Sequence, residues 1–329
     1  MLVAALLALY AGFVGVSAVA AAPEAAGVTV PAWLYPADSG APSPPTASPG
    51  APARPLHLPG SRASFTRAQL ADLYGAPDWY PAAHAPMPAI VAHGRPPDVC
   101  ACGYCHTPSG QGRPENAALA GLPAEYIVQQ MRDFRGGSRR GAWRGAYAPA
   151  DLMVRAARAA SDAEVAQAAR YFARQTLLPR VRIVETARVP RAQVVGLVYA
   201  RVPGAGSEPL GARLMEFAPD AARHELRDER LGYVAYVPPG SVGRGERIAR
   251  AGAGAAGTAC VSCHGERLRG LGAAPPLAGR SPTYLLRALY AFRDGARGGA
   301  AAEPMLPVAR SLDAGGMIDA VAYAASLPP

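Results

Sequence analysis

The chain has 329 residues, half of them apolar, and 33 basic against 24 acidic side chains give a formal charge of +9. Every basic residue is arginine, and the arginines are scattered rather than gathered into a block, which argues against a nucleic-acid surface. A basic balance of this kind instead favours encounter with acidic faces of other proteins.

Residues 2–22 carry no charge and are rich in Ala, Val and Leu, ending in the small residues Ala18-Val19-Ala20-Ala21-Ala22. Such an ending fits a signal-peptidase site, although no Lys or Arg precedes the apolar run. Twenty-one residues could also just span a bilayer. Residues 1–22 are therefore expected to be a signal peptide or an N-terminal anchor, with membrane contact through residues 2–22. Residues 23–61 read as a disordered Pro/Ser/Ala-rich tether, most clearly over 38–58.

The first chemical signature is Cys102-Gly-Tyr-Cys105-His106, a C-x-x-C-H motif. Two thiols one helical turn apart can add across the two vinyl groups of a porphyrin, and the adjacent imidazole can then sit beneath the iron. The motif is expected to lie in a domain over 62–177 that includes an N-terminal extension. Cys100 stands outside the motif and reads as a tolerated free thiol; His57, His84 and His93 read as surface residues.

Residues 178–239 change character. The segments 180–189, 192–202 and 232–237 are β-branched and punctuated by Pro and Gly, as expected for a small antiparallel sheet. His224 and the charged run that follows it read as solvated surface.

A second motif, Cys260-Val-Ser-Cys263-His264, opens a domain expected over 240–329. Shifting the chain by 158 residues brings it onto the first, with Gly112 on Gly270, Leu119-Ala120-Gly121 on Leu277-Ala278-Gly279, Tyr126 on Tyr284 and Phe134-Arg135 on Phe292-Arg293. After a gap of six residues the register resumes, with Met153 on Met305 and Tyr171 on Tyr323. Only these two methionines match each other. Each is expected in a loop before a final amphipathic helix, and a soft neutral thioether suits the sixth position of a high-potential, low-spin iron. A carbonyl twelve residues after each histidine, at Ala118 and Pro276, is a candidate acceptor for the ring hydrogen that fixes imidazole rotation.

These residues resemble the class I cytochromes c, above all tandem dihaem members such as cytochrome c4. The likeness is carried by residues 119–140 and 153–173 with their shorter counterparts after His264, a little over half of the chain. It implies a mainly α fold: two class I cytochrome c haem domains, here joined by a small antiparallel β-rich spacer. It also implies two covalently bound haem c groups, attached through Cys102, Cys105, Cys260 and Cys263 and ligated by His106 with Met153 and His264 with Met305.

The function so implied is single-electron transfer in the periplasm between a redox donor and acceptor, for which the basic balance favours acidic faces. A cytochrome subunit of a periplasmic dehydrogenase is the alternative. A dihaem peroxidase would need one iron open to substrate, against which the paired methionines argue. The shortened loop before Met305, the long spacer and the N-terminal extension depart from the plain tandem pattern.

Overall fold

The computed structural model describes residues 29–36, 54–143, 145, 147–253 and 257–329. The expected signal or anchor lies outside the described residues, as does most of the expected tether. Among the described residues no helix is long and apolar enough to cross a membrane.

The sequence repeat is a structural repeat. Each unit opens with a one-turn helix that is the motif itself, Cys102–His106 and Cys260–His264. A tight hairpin follows, closed by a bridge between Arg113 and Asn116 in one unit and Leu271 and Ala274 in the other. Then come a long helix (Ala124–Gly136; Pro282–Arg293), a helix bearing the matched methionine (Ala148–Ala159; Met305–Ser311) and a final helix (Asp162–Ala173; Ala314–Ser326).

The punctuation explains the boundaries. Gly137 ends the first long helix in the left-handed region at φ 79°, which costs a glycine little. Ser161 and Glu164 form a reciprocal capping box at the first final helix, and Asp313 accepts the Gly316 N–H at the second.

Met153 and Met305 do not sit in loops as the sequence reading had them. Met153 lies in the middle of its helix and Met305 is the first residue of its own. A long, unbranched side chain is a good helix former, so methionine is accommodated at either helical position.

The second unit has an additional entry helix, Ser241–Ala251, which packs across the final helix. The two backbones meet at Gly245, where an added Cβ would lie 1.9 Å from the Asp319 carbonyl oxygen. Arg244 clasps the crossing with Nε and one terminal nitrogen on the Asp319 carboxylate, at 2.7 and 2.9 Å. In the first unit only the short helix Ala89–Ala92 stands there, with Val91 fully buried against Gly103.

The expected antiparallel spacer is a mixed sheet. Its five strands run in the order Val181–Glu185, Tyr233–Val237, Met215–Ala218, Val198–Arg201, Ala192–Val195. Val181–Glu185 pairs parallel with Tyr233–Val237, and Val198–Arg201 parallel with Met215–Ala218; the other two pairings are antiparallel. The long connections through Arg188–Pro190, Ser207–Pro209 and the helix Ala221–Glu225 supply the crossovers that parallel neighbours require.

The charged run after His224 is not solvated either: His224, Asp228 and Glu229 are buried, and Glu225 and Arg230 are exposed. Burial is tolerated because each buried group has a partner: Arg223 for Asp228, Ser109 for Glu229, Tyr233 for His224.

Two segments of the expected tether are folded. Leu56–His57 pairs antiparallel with Ser64–Phe65, and Leu58 is buried with Leu70 and Trp79. Ala32–Leu34 forms a 3-10 turn whose Leu34 and Tyr35 enter the main core between the two units, and Tyr199 donates to the Trp33 carbonyl at 2.8 Å. Tyr35 stacks on Trp143 and meets Tyr147 edge-on.

Candidate functional site

Each motif histidine is the last residue of its one-turn helix and is buried. Neither ring is held by the carbonyl expected from the sequence. His106 Nδ1 bonds to the Ala117 oxygen at 2.7 Å and His264 Nδ1 to the Pro275 oxygen at 2.8 Å, each one residue earlier than Ala118 and Pro276. The hairpin after the motif turns the eleventh carbonyl towards the ring; the twelfth, at Ala118 and at Pro276, is taken by the Arg280 guanidinium instead. A histidine that donates from Nδ1 leaves Nε2 free to bind a metal. Burial pulls both imidazoles below their ordinary pKa, so both are neutral and competent as ligands.

Beside His106 lies a cavity of about 170 Å³ that both His106 and Met153 line. Leu119, Leu122, Ile127 and Phe134 make its walls apolar, as a porphyrin face requires. The second unit contributes Tyr284, Arg287 and Arg297. Arg287 reaches in from the long helix of that unit: Nε donates to the Leu34 carbonyl at 2.8 Å and one terminal nitrogen to the Tyr147 hydroxyl at 2.7 Å. Its other terminal nitrogen is buried with no hydrogen-bond partner.

An unpartnered buried guanidinium nitrogen beside an apolar slot is what the carboxylate edge of a haem would satisfy, so the residues present fit that group. At the second motif, Met305 is half-buried against Phe292, Ala288 and Ala302. Cys102, Cys105 and Cys260 are partly buried and Cys263 is exposed; none forms a disulfide. Cys100 is buried and free, consistent with a thiol outside the chemistry.

Between the two units runs an approximate two-fold axis. Arg139 and Arg297, equivalent in the repeat, pair backbone to backbone. Arg139 donates to the Tyr284 hydroxyl at 3.0 Å and Arg297 to the Tyr126 hydroxyl at 2.6 Å, and these two tyrosines are also equivalent. Each guanidinium lies over the phenyl ring of its own unit, Phe134 or Phe292, at 4.4 Å. Reciprocal contacts of this kind define an isologous interface. Burial alone would raise the Tyr284 phenol, but Arg139 and Arg297 outweigh it and hold it below its ordinary value.

Arg280 locks the same seam without a counterpart. It donates to Pro276 of its own unit at 2.7 Å, and to Ala118 and Ala120 of the other at 2.7 and 3.0 Å. Of the two carbonyls expected to orient the histidines, Ala118 thus helps to hold the units together and Pro276 anchors the same arginine within its own unit. No local signal in the sequence marked Arg280 or Arg287, because each acts on the opposite repeat.

None of the three histidines upstream of the first motif, His57, His84 and His93, lines the cavity. His84 is held by Asp78 at 3.2 Å and by the Tyr171 hydroxyl at 3.1 Å. His84 is more enclosed than a surface residue: its side chain is 2% exposed.

No family model matches the chain. Cytochrome c-554(548) of Halomonas halodenitrificans is 43% identical over 68 residues, which are 20% of this chain and 82% of that protein. A thiosulfate dehydrogenase electron acceptor of Thiomonas intermedia is 28% identical over 211 residues, 62% of this chain and 68% of that protein. Among solved structures, thiosulfate dehydrogenase (TsdBA) of Marichromatium purpuratum aligns with a TM-score of 0.49 at 25% identity over 73% of this chain, which spans only 39% of that structure. With two C-x-x-C-H motifs in two matching units and these relatives, the chain belongs to the class I c-type cytochromes, as a dihaem, cytochrome c4-like electron-transfer protein that binds haem c covalently.

Proposed function

We propose that the protein is an exported carrier that passes single electrons between redox partners, with His106 and Met153 as the axial pair of the first haem and His264 and Met305 as that of the second. Cys102, Cys105, Cys260 and Cys263 are the thioether anchors. The observation that carries this reading is the cavity that His106 and Met153 line together, with the His106 ring already fixed by the Ala117 carbonyl. Haem c, when bound, supplies a reversible one-electron couple.

The rest is done by the chain. Ala117 and Pro275 hold the imidazoles at one rotation, and the apolar walls exclude water. The guanidiniums of Arg139, Arg287 and Arg297 at the first crevice disfavour loss of an electron there. Covalent attachment of haem c follows export, which supports a periplasmic location.

A second reading, a cytochrome that serves one dehydrogenase, is favoured by the likeness to a protein named as the electron acceptor of thiosulfate dehydrogenase. Co-purification with a larger catalytic subunit would support it.

The test is a visible and near-infrared spectrum of the purified protein with a pyridine haemochrome count. Two haems per chain, low-spin bands and a far-red methionine–iron(III) band of two-site intensity are expected, unchanged by carbon monoxide. Carbon monoxide binding at one haem would remove Met153 or Met305 as a ligand and turn the reading towards a peroxidase.

A further inference from the structure

The two units offer an internal comparison that neither motif shows alone. After each histidine the backbone follows one course: the Gly112 N–H donates to the His106 carbonyl at 2.9 Å and the Gly270 N–H to the His264 carbonyl at 2.8 Å, before hairpins of the same register. Residues 104–115 can therefore be set against 262–273 position by position. What surrounds them differs throughout.

In the first unit this face is closed by the chain itself. The Ser109 N–H and hydroxyl both donate to Glu229 of the spacer, at 3.0 and 2.7 Å. Gln111 accepts from the Leu178 N–H at 2.9 Å, and Arg180 donates to the Gln111 and Gly112 carbonyls at 2.7 Å each. The Arg227 guanidinium covers the Tyr104 ring at 3.6 Å. Trp79 of the N-terminal extension donates to the Leu226 carbonyl at 2.6 Å and completes the cover.

In the second unit nothing described covers the same face. Ser262 stands for Tyr104, Arg267 for Ser109, Arg269 for Gln111 and Leu271 for Arg113, and all four are exposed. Leu271 is 63% exposed, one of two large hydrophobic side chains exposed among the described residues. Arg267 has no ion-pair partner among the described residues, and Arg269 reaches only the Pro328 carbonyl, at 3.4 Å. The thioether cysteine Cys263 opens onto this face and is exposed, whereas its equivalent Cys105 is partly buried.

We propose that this open face of the second unit is the docking port for an external redox protein whose contact surface is apolar at its centre and acidic at its rim. The spacer supplies the template: it meets the first unit with the Glu229 carboxylate at the position where the second presents the free Arg267. A partner carboxylate in that place completes the pair, and its apolar centre covers Leu271. Electrons then enter and leave at the second haem. The first exchanges through it, across the interface of Arg139, Arg297 and the two tyrosines. The assignment rests on the reading of haem at both motifs.

The test is stopped-flow oxidation of the fully reduced holoprotein by plastocyanin, an acidic-faced copper protein, each copper(II) taking one electron from the protein. Arg267→Glu is expected to lower the second-order rate roughly tenfold at low salt and to flatten its ionic-strength dependence. Leu271→Ser should slow it at high salt as well, where a lost apolar contact is not screened. Arg201→Glu, the same charge change at an exposed position of the spacer, should stay within about twofold of wild type. Equal slowing by Arg201→Glu and Arg267→Glu, no slowing by Arg267→Glu, or no reaction with plastocyanin would overturn the port. Fewer than two haems per wild-type chain in the haemochrome assay would instead bring down the haem reading beneath it.

Discussion

Replacing Arg280 by methionine probes how firmly the two haem units are locked together. The guanidinium makes three hydrogen bonds to backbone carbonyls, two of them across the seam, and the side chain is 4% exposed. Hydrogen bonds from a charged donor contribute about 1.5–3 kcal/mol each, so roughly 5–9 kcal/mol is lost with the group. Against this, burial pulls the Arg280 pKa from 12.5 down to about 10, a cost of roughly 3 kcal/mol that methionine relieves. The bonds outweigh the burial, and a net loss of about 2–6 kcal/mol is expected, with three carbonyls left unpartnered. Urea unfolding of the two-haem protein followed by Soret absorbance would measure it, with a second transition appearing as the units separate. A variant as stable as wild type, unfolding in one step, would refute the argument that Arg280 is the clamp.

Gly245→Ala drives a methyl group to within 1.9 Å of the Asp319 oxygen, and the crossing helices must part; a loss of roughly 2–4 kcal/mol in thermal or denaturant unfolding is expected. His224 is held at a pKa of about 4 because burial outweighs the attraction of Glu115, with Arg113 and Arg227 adding to the depression. Its neutral form therefore contributes stability that is complete above pH 6.5 and is lost as the pH falls from 6.5 towards 4, about 3 kcal/mol in all. Denaturant midpoints across that range should fall, and His224→Gln should flatten the slope; an unchanged slope would place the acid sensitivity elsewhere. Met153→Ala and Met305→Ala should each remove half of the far-red band and admit carbon monoxide at one haem per chain. A variant keeping the whole band would assign that ligand to another residue.

Much of the site is written in local sequence, because covalent haem attachment demands two thiols and a histidine in fixed order, and the repeat then picks Met153 and Met305 from seven methionines. What escaped depends on contacts distant in the chain. Parallel strand pairing cannot be read from β-branched runs, since a strand does not encode the direction of its neighbour. His224, Asp228 and Glu229 look solvated in a charged run, yet Tyr233, Arg223 and Ser109 wait for them in the fold. Ala118 and Pro276 were one position late because a hairpin places its inward carbonyl by backbone curvature, which side-chain identity does not report. Leu34 and Tyr35 lie next to residues too polar and proline-rich to build a core, and they find one only between the two units.

The reciprocal pairing of Arg139 with Tyr284 and Arg297 with Tyr126 is the contact set of a two-fold homodimer held within a single polypeptide. Two separate identical chains would display every substitution twice, once on each side of the axis. A fused pair is released from that duplication. Arg280 has Leu122 as its counterpart and Arg287 has Gln129, so a clamp and a crevice cation could each be acquired on one side alone. Covalent fusion thus lets two halves built on one plan hold different charges around their irons, and a difference of that kind gives an electron a preferred direction of travel.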